Sequence, residues 1–495
     1  MAKKSSLLTR KEQSKTRSDS THKISQSKNV ANSRPHSSHS DKQALQQKKL
    51  CETSPRSRLA RKTQKLVGTT YRNNLDSDYT EKIASLTRDF KYDQHRASLW
   101  SDPSHSLLYG TPLYAEASST QRLALNHLGW FANYNYISNS ETETVMYNQV
   151  TGSVFRAIGG YDTLADELTF ETQQEHDHIK AFRKVGLMTA TSLIGRKGLN
   201  ELLKWNSYKL TLGKRSLPTY QYYALRSLAI SVGGRGHRAH YSSYLQTLED
   251  ENEFILKAPT TGMLGRSVGP SLPRQSFYGF SWGMGSPFMA CHFYTVRMIA
   301  NLYLKNMEHA IAKYAKQLEN SDSTVPAPTA ISRYHFLDEA FHTTISKLLA
   351  KDLYREFSAP TTFEKLTANS VLYSMQTGTL GGLSAVLPHR YFSDDSTILE
   401  LIYQLLRSPV FGFSHTDTKH WIERCFCQEH EGIYTAAANR ARLLKELKDF
   451  FADVDYLWPV NRHMNAMANR GAISSALAQN RQTFKTFFQQ TRADA

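Results

Sequence analysis

Residues 333–344 read Arg-Tyr-His-Phe-Leu-Asp-Glu-Ala-Phe-His-Thr-Thr, with His335, Glu339 and His342 at successive spacings of four and three. At about 100° per residue these three side chains fall within roughly 60° of one another on an α-helix. Their neighbours are large and apolar, so the stripe faces a core. Ionisable groups are unfavourable there unless each is paired or bound to a metal.

A second copy of the pattern lies upstream. In QQEHDHIKAF, residues 173–182, Glu175 and His178 form Glu-x-x-His, as Glu339 and His342 do. The surrounding chain reads as four long helices. The first starts at Ser119 or Thr120 as N-cap and stops at Gly159-Gly160; the second runs from Asp162 to near Gly195. The third spans about 287–319 and the fourth about 329–351. The short turn at 159–161 makes the first two antiparallel neighbours.

Two Glu-x-x-His pairs, plus one Glu from each of two further helices, is the di-iron or di-manganese carboxylate pattern of a bundle core. The third helix offers Glu308; the first offers Glu141 or Glu143. The residue types follow from charge. Two divalent metals bring four positive charges into a dry interior, four carboxylates balance them, and imidazoles add neutral nitrogen donors. Unpaired, those carboxylates would be costly to bury or would take up protons.

His335 goes beyond that minimum. His-x-x-x-Glu-x-x-His on the fourth helix resembles the p-aminobenzoate N-oxygenase family of non-haem di-iron enzymes, within the ferritin-like superfamily. The resemblance covers about residues 120–350. It implies a ligand set of Glu141, Glu175, His178, Glu308, His335, Glu339 and His342, with Glu141 preferred to Glu143 because it lies 34 residues before Glu175. It also implies two iron ions, with manganese as an alternative in one site. The implied activity is dioxygen-dependent oxygenation of a small organic substrate, foremost an arylamine nitrogen. Carbon hydroxylation or desaturation is the alternative, followed by a non-catalytic metal-binding protein. No flavin, nicotinamide or ferredoxin motif is present, so electrons are expected from an external donor.

Other polar residues near the motifs have plainer readings. Arg297, eleven residues before Glu308, could bind a substrate carboxylate, but a structural or exposed arginine is the simpler expectation. Asp177 and Asp338 adjoin motif positions and could orient histidines. Lying about 100° off the ligand face, they read first as salt-bridge residues. Glu171, one turn before Glu175, reads as an outer acid or a decoy, with a ligand role as its lesser alternative. The stretch containing His415, His420, Cys425, Cys427 and His430 lacks zinc-site spacing. GGRGHRAH, 233–240, reads as a basic loop.

Composition bounds the rest. The chain has 495 residues, 40% hydrophobic and 11% aromatic, enough for a large core. Net charge is +17, but residues 1–65 hold 17 Lys and Arg against 4 Asp and Glu, so the remainder is close to neutral. The organisation expected is a disordered basic tail at 1–65 and a wrapping segment at 66–117. An all-α ferritin-like bundle follows at 118–355, with an insertion at 196–285, and a helical extension at 356–495. The tail reads as a solubilising segment; non-specific attraction to nucleic acid or anionic lipid, or organelle targeting, are its alternatives. No specific nucleic-acid partner and no transmembrane segment are expected, and the location expected is cytoplasmic, in keeping with four scattered cysteines. The oligomeric state stays open, with a homodimer as one option.

Overall fold

In the computed structural model, α1 (Pro55–Asp76) and α2 (Thr80–Asp89) lead through short helical turns into α3 (Ser119–Ile158). Ser118 opens α3: its hydroxyl accepts from the Gln121 N–H, and the Gln121 side chain accepts from the Ser118 N–H. The cap is thus one residue earlier than the sequence pattern suggests. At the other end Gly159 takes φ 79°, a conformation that side chains with a Cβ rarely adopt, and stops the helix. Three residues later α4 (Asp162–Gly213) begins. Gly195 breaks it with φ 73°, so the helix expected to end there bends and continues.

The structure describes residues 55–213, 242–251, 262–265, 286–380, 382–383, 385–389 and 396–491, together with 224, 227, 228 and 231. Most of the basic tail, GGRGHRAH and much of the expected insertion therefore lie outside the described residues. All regular structure among the described residues is helical, and no strand occurs among them. Residues 58–495 group as one compact unit. None of the described helices is long and apolar enough to cross a membrane.

Helix α5 (Pro287–Asn320) is capped by Ser286, whose hydroxyl accepts from the Met289 N–H with Pro287 in the first helical position. A loop ending at Pro326 leads to α6 (Ala327–Lys351). These two helices pack along each other, as α3 does with α4. α5 also meets α3, and α6 meets α4, closing a four-helix bundle. Close approach has a local cause at Gly186 of α4, where a Cβ would fall 2.6 Å from the Phe131 ring of α3.

Helix α3 is buried on nearly every side, with Leu125, Leu128, Phe131, Tyr134, Tyr147 and Phe155 all inside. Surrounding helices provide that cover. α2 packs on α4 and α6, while α7 (Thr362–Ser374) packs on α5. α8 (Ser396–Arg407) packs on α4, and α9 (His415–Cys427) lies against α8. α10 (Glu431–Phe451) covers α5, and α11 (Ile473–Thr491) packs on α9. Asn135 accepts from the Leu264 N–H at 2.7 Å and Asn139 donates to Gly262 O at 3.0 Å, tying residues 262–265 to α3. This second layer keeps water from the middle of the bundle, where the polar residues converge.

Candidate metal centre

Helices α4 and α6 contribute three residues each to the site, and α3 one. One face of α6 carries His335, Glu339 and His342, all buried, with neither histidine exposed at all. His335 is held from two sides. Its Nδ1 lies 2.6 Å from Glu308 Oε1 on α5, and its Nε2 lies 2.9 Å from Glu141 Oε1 on α3 and 3.7 Å from Glu339 Oε1. Tyr134 of α3 donates to the same Glu308 oxygen at 2.7 Å.

The two Glu-x-x-His histidines have matching arrangements. His342 Nδ1 lies 2.8 Å from Glu339 Oε1 and 3.5 Å from Glu175 Oε1, while its Nε2 bonds Gln174 Oε1 at 2.9 Å. His178 Nδ1 faces Glu175 Oε2 at 3.5 Å, and its Nε2 bonds Asp338 Oδ2 at 3.2 Å. Each ring therefore turns Nδ1 towards the carboxylates and anchors Nε2 elsewhere.

Donor atoms of Glu141, Glu175, His178, His335 and Glu339 lie within 4.8 Å of one another, and those of Glu171, Glu175 and His342 do likewise, with Glu175 shared. Six of the seven residues proposed from sequence thus fall into these two groups. Glu308 belongs to neither and reaches the cluster through His335. Of the two candidates on the first helix, Glu141 joins a group and Glu143 does not.

Arg297 is not exposed. It is buried on α5 and pairs with Glu171 through Nη1 and with Glu175 Oε1 through Nη2, at 3.0 Å in the latter case. Of the two simpler expectations, exposed or structural, it is the structural one, and no free guanidinium is left for a substrate. Asp338 is also fully buried, and its contact across the bundle to His178 is the inter-helix pairing that orients the ring. Asp177 is half-buried and stands outside this network. Gln174, Asn74 and Asp78 are not singled out by the sequence pattern. The only signal for Gln174 is its place before Glu175, matching the place of Asp338 before Glu339.

The charges are tightly balanced. Burial and the nearby His335 oppose a charge on His178, but the bond to Asp338 and the Glu175 carboxylate 3.5 Å away prevail and lift its pKa to about 9. Burial likewise opposes charge on His342, where Glu171, Glu339 and Glu175 raise the pKa to about 10. For His335, Glu308 and Glu141 overcome burial and push the pKa well above the usual imidazole range. Burial raises the carboxyls of Glu175 and Glu308. Glu339 goes the other way: burial is outweighed by His342, His335 and Arg297, which lower it. Protons on the imidazoles here offset carboxylate charge that a divalent cation would also offset.

A cation fits the atoms left over. Glu141 Oε2, Glu171 Oε2, Glu175 Oε2, Glu308 Oε2 and His178 Nδ1 are buried without a hydrogen-bond partner. Such groups are costly to leave unsatisfied in a dry core. Carboxylate oxygens with imidazole nitrogens, and no thiolate, are donors suited to first-row divalent metals. The buried clusters can hold a metal ion. Aromatic side chains close the His335 side: Phe182 lies 4.9 Å from its ring and 4.4 Å from Tyr134, and Trp130 lies 4.5 Å from Tyr134.

Residues 415–430 form no such cluster. His415 bonds Tyr403 at 2.9 Å, His430 bonds Cys425 O at 2.8 Å, and Cys425 and Cys427 are buried free thiols.

The model of one protein family, described as "Acyl halogenase CylC-like", matches residues 62–488, most of the chain. No curated protein and no solved structure gives a match.

Proposed function

The chain belongs to the acyl halogenase CylC-like family, and from that premise we propose that it binds two iron ions in the α3–α6 bundle and uses dioxygen to oxidise a carbon of an acyl substrate. It is an enzyme of oxidative type by family. The observation that carries the metal reading is the convergence of donor atoms of Glu141, Glu175, His178, His335 and Glu339 within 4.8 Å of one another, with partnerless buried oxygens on Glu141 and Glu175. The family description supports an acyl carbon as the reacting centre and a halide as the group transferred.

Glu141, Glu175, His178, His335 and Glu339 would hold one metal, and Glu175, His342 and Glu171 the other, with Glu308 available through His335. Bound iron would supply the electrons and the Lewis acidity that dioxygen activation needs. The chain's own residues do the rest. Arg297 fixes one oxygen of Glu175 and leaves Oε2 for the cluster. Asp338 and Gln174 hold His178 and His342 with Nδ1 inward. Tyr134 steadies Glu308, and Phe182 and Trp130 exclude water on that side. Replacing C–H by C–halogen removes two electrons, whereas reducing dioxygen to water takes four. An external donor must therefore supply two, matching the absence of any flavin or nicotinamide motif.

Oxygenation of an arylamine nitrogen stays the second reading. His335, buried between Glu141 and Glu308, favours it, because it carries the resemblance to the N-oxygenases.

The test is anaerobic reconstitution of the full chain with ferrous iron, followed by dioxygen in the presence of acyl thioesters with or without halide, and separately of arylamines. Mass spectrometry is expected to find a halogenated acyl product only when halide is present. An oxygenated arylamine without any acyl product would move the assignment to the second reading. Iron binding with no dioxygen uptake under either condition would end both.

A further inference from the structure

The residue preceding each Glu-x-x-His glutamate reaches across the bundle to the histidine of the opposite motif. Asp338, before Glu339, accepts from His178 Nε2 at 3.2 Å; Gln174, before Glu175, accepts from His342 Nε2 at 2.9 Å. The two braces match in position but differ in charge.

Each brace is itself held in one orientation. Gln174 Nε2 donates to Asn74 Oδ1 at 3.0 Å and to the Asp78 carboxylate at 3.3 Å, so its oxygen has to face His342. Asn74 is oriented in turn by donating to Glu167 at 3.1 Å. His342 Nε2 must then carry a proton, and Nδ1, which faces Glu339 Oε1 at 2.8 Å, is the nitrogen that a metal would take by displacing its proton. Asp338 Oδ1 accepts from the Tyr79 N–H at 3.2 Å, leaving Oδ2 for His178. Residues 74–79, the end of α1 and its link to α2, thus lock both imidazoles.

A carboxylate that accepts the far N–H of an imidazole makes the ring a stronger donor to a metal than a neutral amide does. The surroundings differ in the same sense. The His178 group contains five residues, with His335 as a second imidazole; the His342 group contains three. Two of those three, Glu171 and Glu175, already share the positive charge of Arg297.

We propose that Asp338 and Gln174 are positioning residues that make the two metal positions unequal, with a tight position at His178 and a weak one at His342 that loads second. This rests on the two-metal reading above. It gives the His342 position as the one open to exchange or to a different metal.

The test is anaerobic calorimetric titration of the full chain with ferrous iron, repeated with cobalt(II) as an optical probe. The wild-type chain is expected to show two steps at least about tenfold apart, the scale on which such braces act. His342→Ala should abolish the weaker step and His178→Ala the stronger. Asp338→Asn should weaken the stronger step by about 10- to 100-fold, and Gln174→Glu should strengthen the weaker one. That gain is the arm that local damage would not reproduce. Two equal steps in the wild type, an Asp338→Asn effect confined to the weak step, or a loss of affinity in Gln174→Glu would overturn the inequality while leaving the metal centre standing. Failure of the wild-type chain to bind either metal would instead remove the metal centre, and the inequality with it.

Discussion

Arg297 holds Glu175 Oε1 at 3.0 Å, while the other oxygen of the same carboxylate has no hydrogen-bond partner. One half of Glu175 thus belongs to a buried ion pair and the other half to the cluster. Removing the arginine would leave two carboxylates, Glu171 and Glu175, buried without their cation. Breaking a buried pair from one side costs about 3–5 kcal/mol. Arg297→Met is expected to lower the stability of the metal-free protein by that order in urea denaturation. Added divalent metal should restore part of the loss. A change below about 1 kcal/mol would mean that the pair is not a structural element of the fold.

The ligand assignment makes a graded expectation. Glu339→Ala and His178→Ala each remove a donor from the five-residue group and should bring metal content clearly below two per chain, read by elemental analysis. His335→Ala also frees Glu308, so it should change the rate of dioxygen uptake more than metal content. Retention of full metal in all three variants would refute the assignment.

Tyr134 tests whether Glu308 is held in place or merely nearby. Its hydroxyl donates at 2.7 Å to an oxygen that His335 also contacts. Tyr134→Phe removes that bond together with the hydroxyl's contact to Ser332, and hydrogen bonds to charged groups contribute about 1.5–3 kcal/mol. A stability loss in that range, together with slower dioxygen uptake at unchanged metal content, is the expected result. An unaltered rate would assign Tyr134 to packing alone.

The bundle and most of the centre were legible because both reside in helical periodicity. Glu175, His178, Glu339 and His342 are pairs within a single helix, so spacing alone puts each pair on one face. What crosses between helices was not legible. Arg297 pairs with residues 122 and 126 positions away, and Asp338 with one 160 away, so a position on one helix could not name these partners. Asn74 and Asp78 lie in a stretch without a strong period, and only the tertiary fold brings them to Gln174. The cap of α3 was misplaced by one residue because Ser118, Ser119 and Thr120 all cap well. Metal identity and substrate depend on the cavity and the bound ions, and neither is written in spacing.

Away from the centre, Glu400 on α8 gives a pH-dependent expectation. Burial raises its carboxyl to about 7, against the opposing bond from Gln404 Nε2 at 2.7 Å, with Glu201 adding to the rise. Its other oxygen is buried and has no hydrogen-bond partner. Below about pH 4.5 the group is protonated in both the folded and the unfolded chain, so its contribution is fully present there. Between about 4.5 and about 7 the folded chain keeps a proton that the unfolded chain has released, and stability falls as pH rises through that window. Above it the loss levels off at roughly 3 kcal/mol, since each tenfold change in proton affinity corresponds to about 1.4 kcal/mol. Glu400→Gln removes the titration while keeping an oxygen for Gln404. Urea denaturation should therefore show the variant close to wild type near pH 4 and more stable by about 2–3 kcal/mol at pH 8. A difference between the two proteins that does not vary with pH would show that the Glu400 carboxyl binds its proton equally in the folded and unfolded chains.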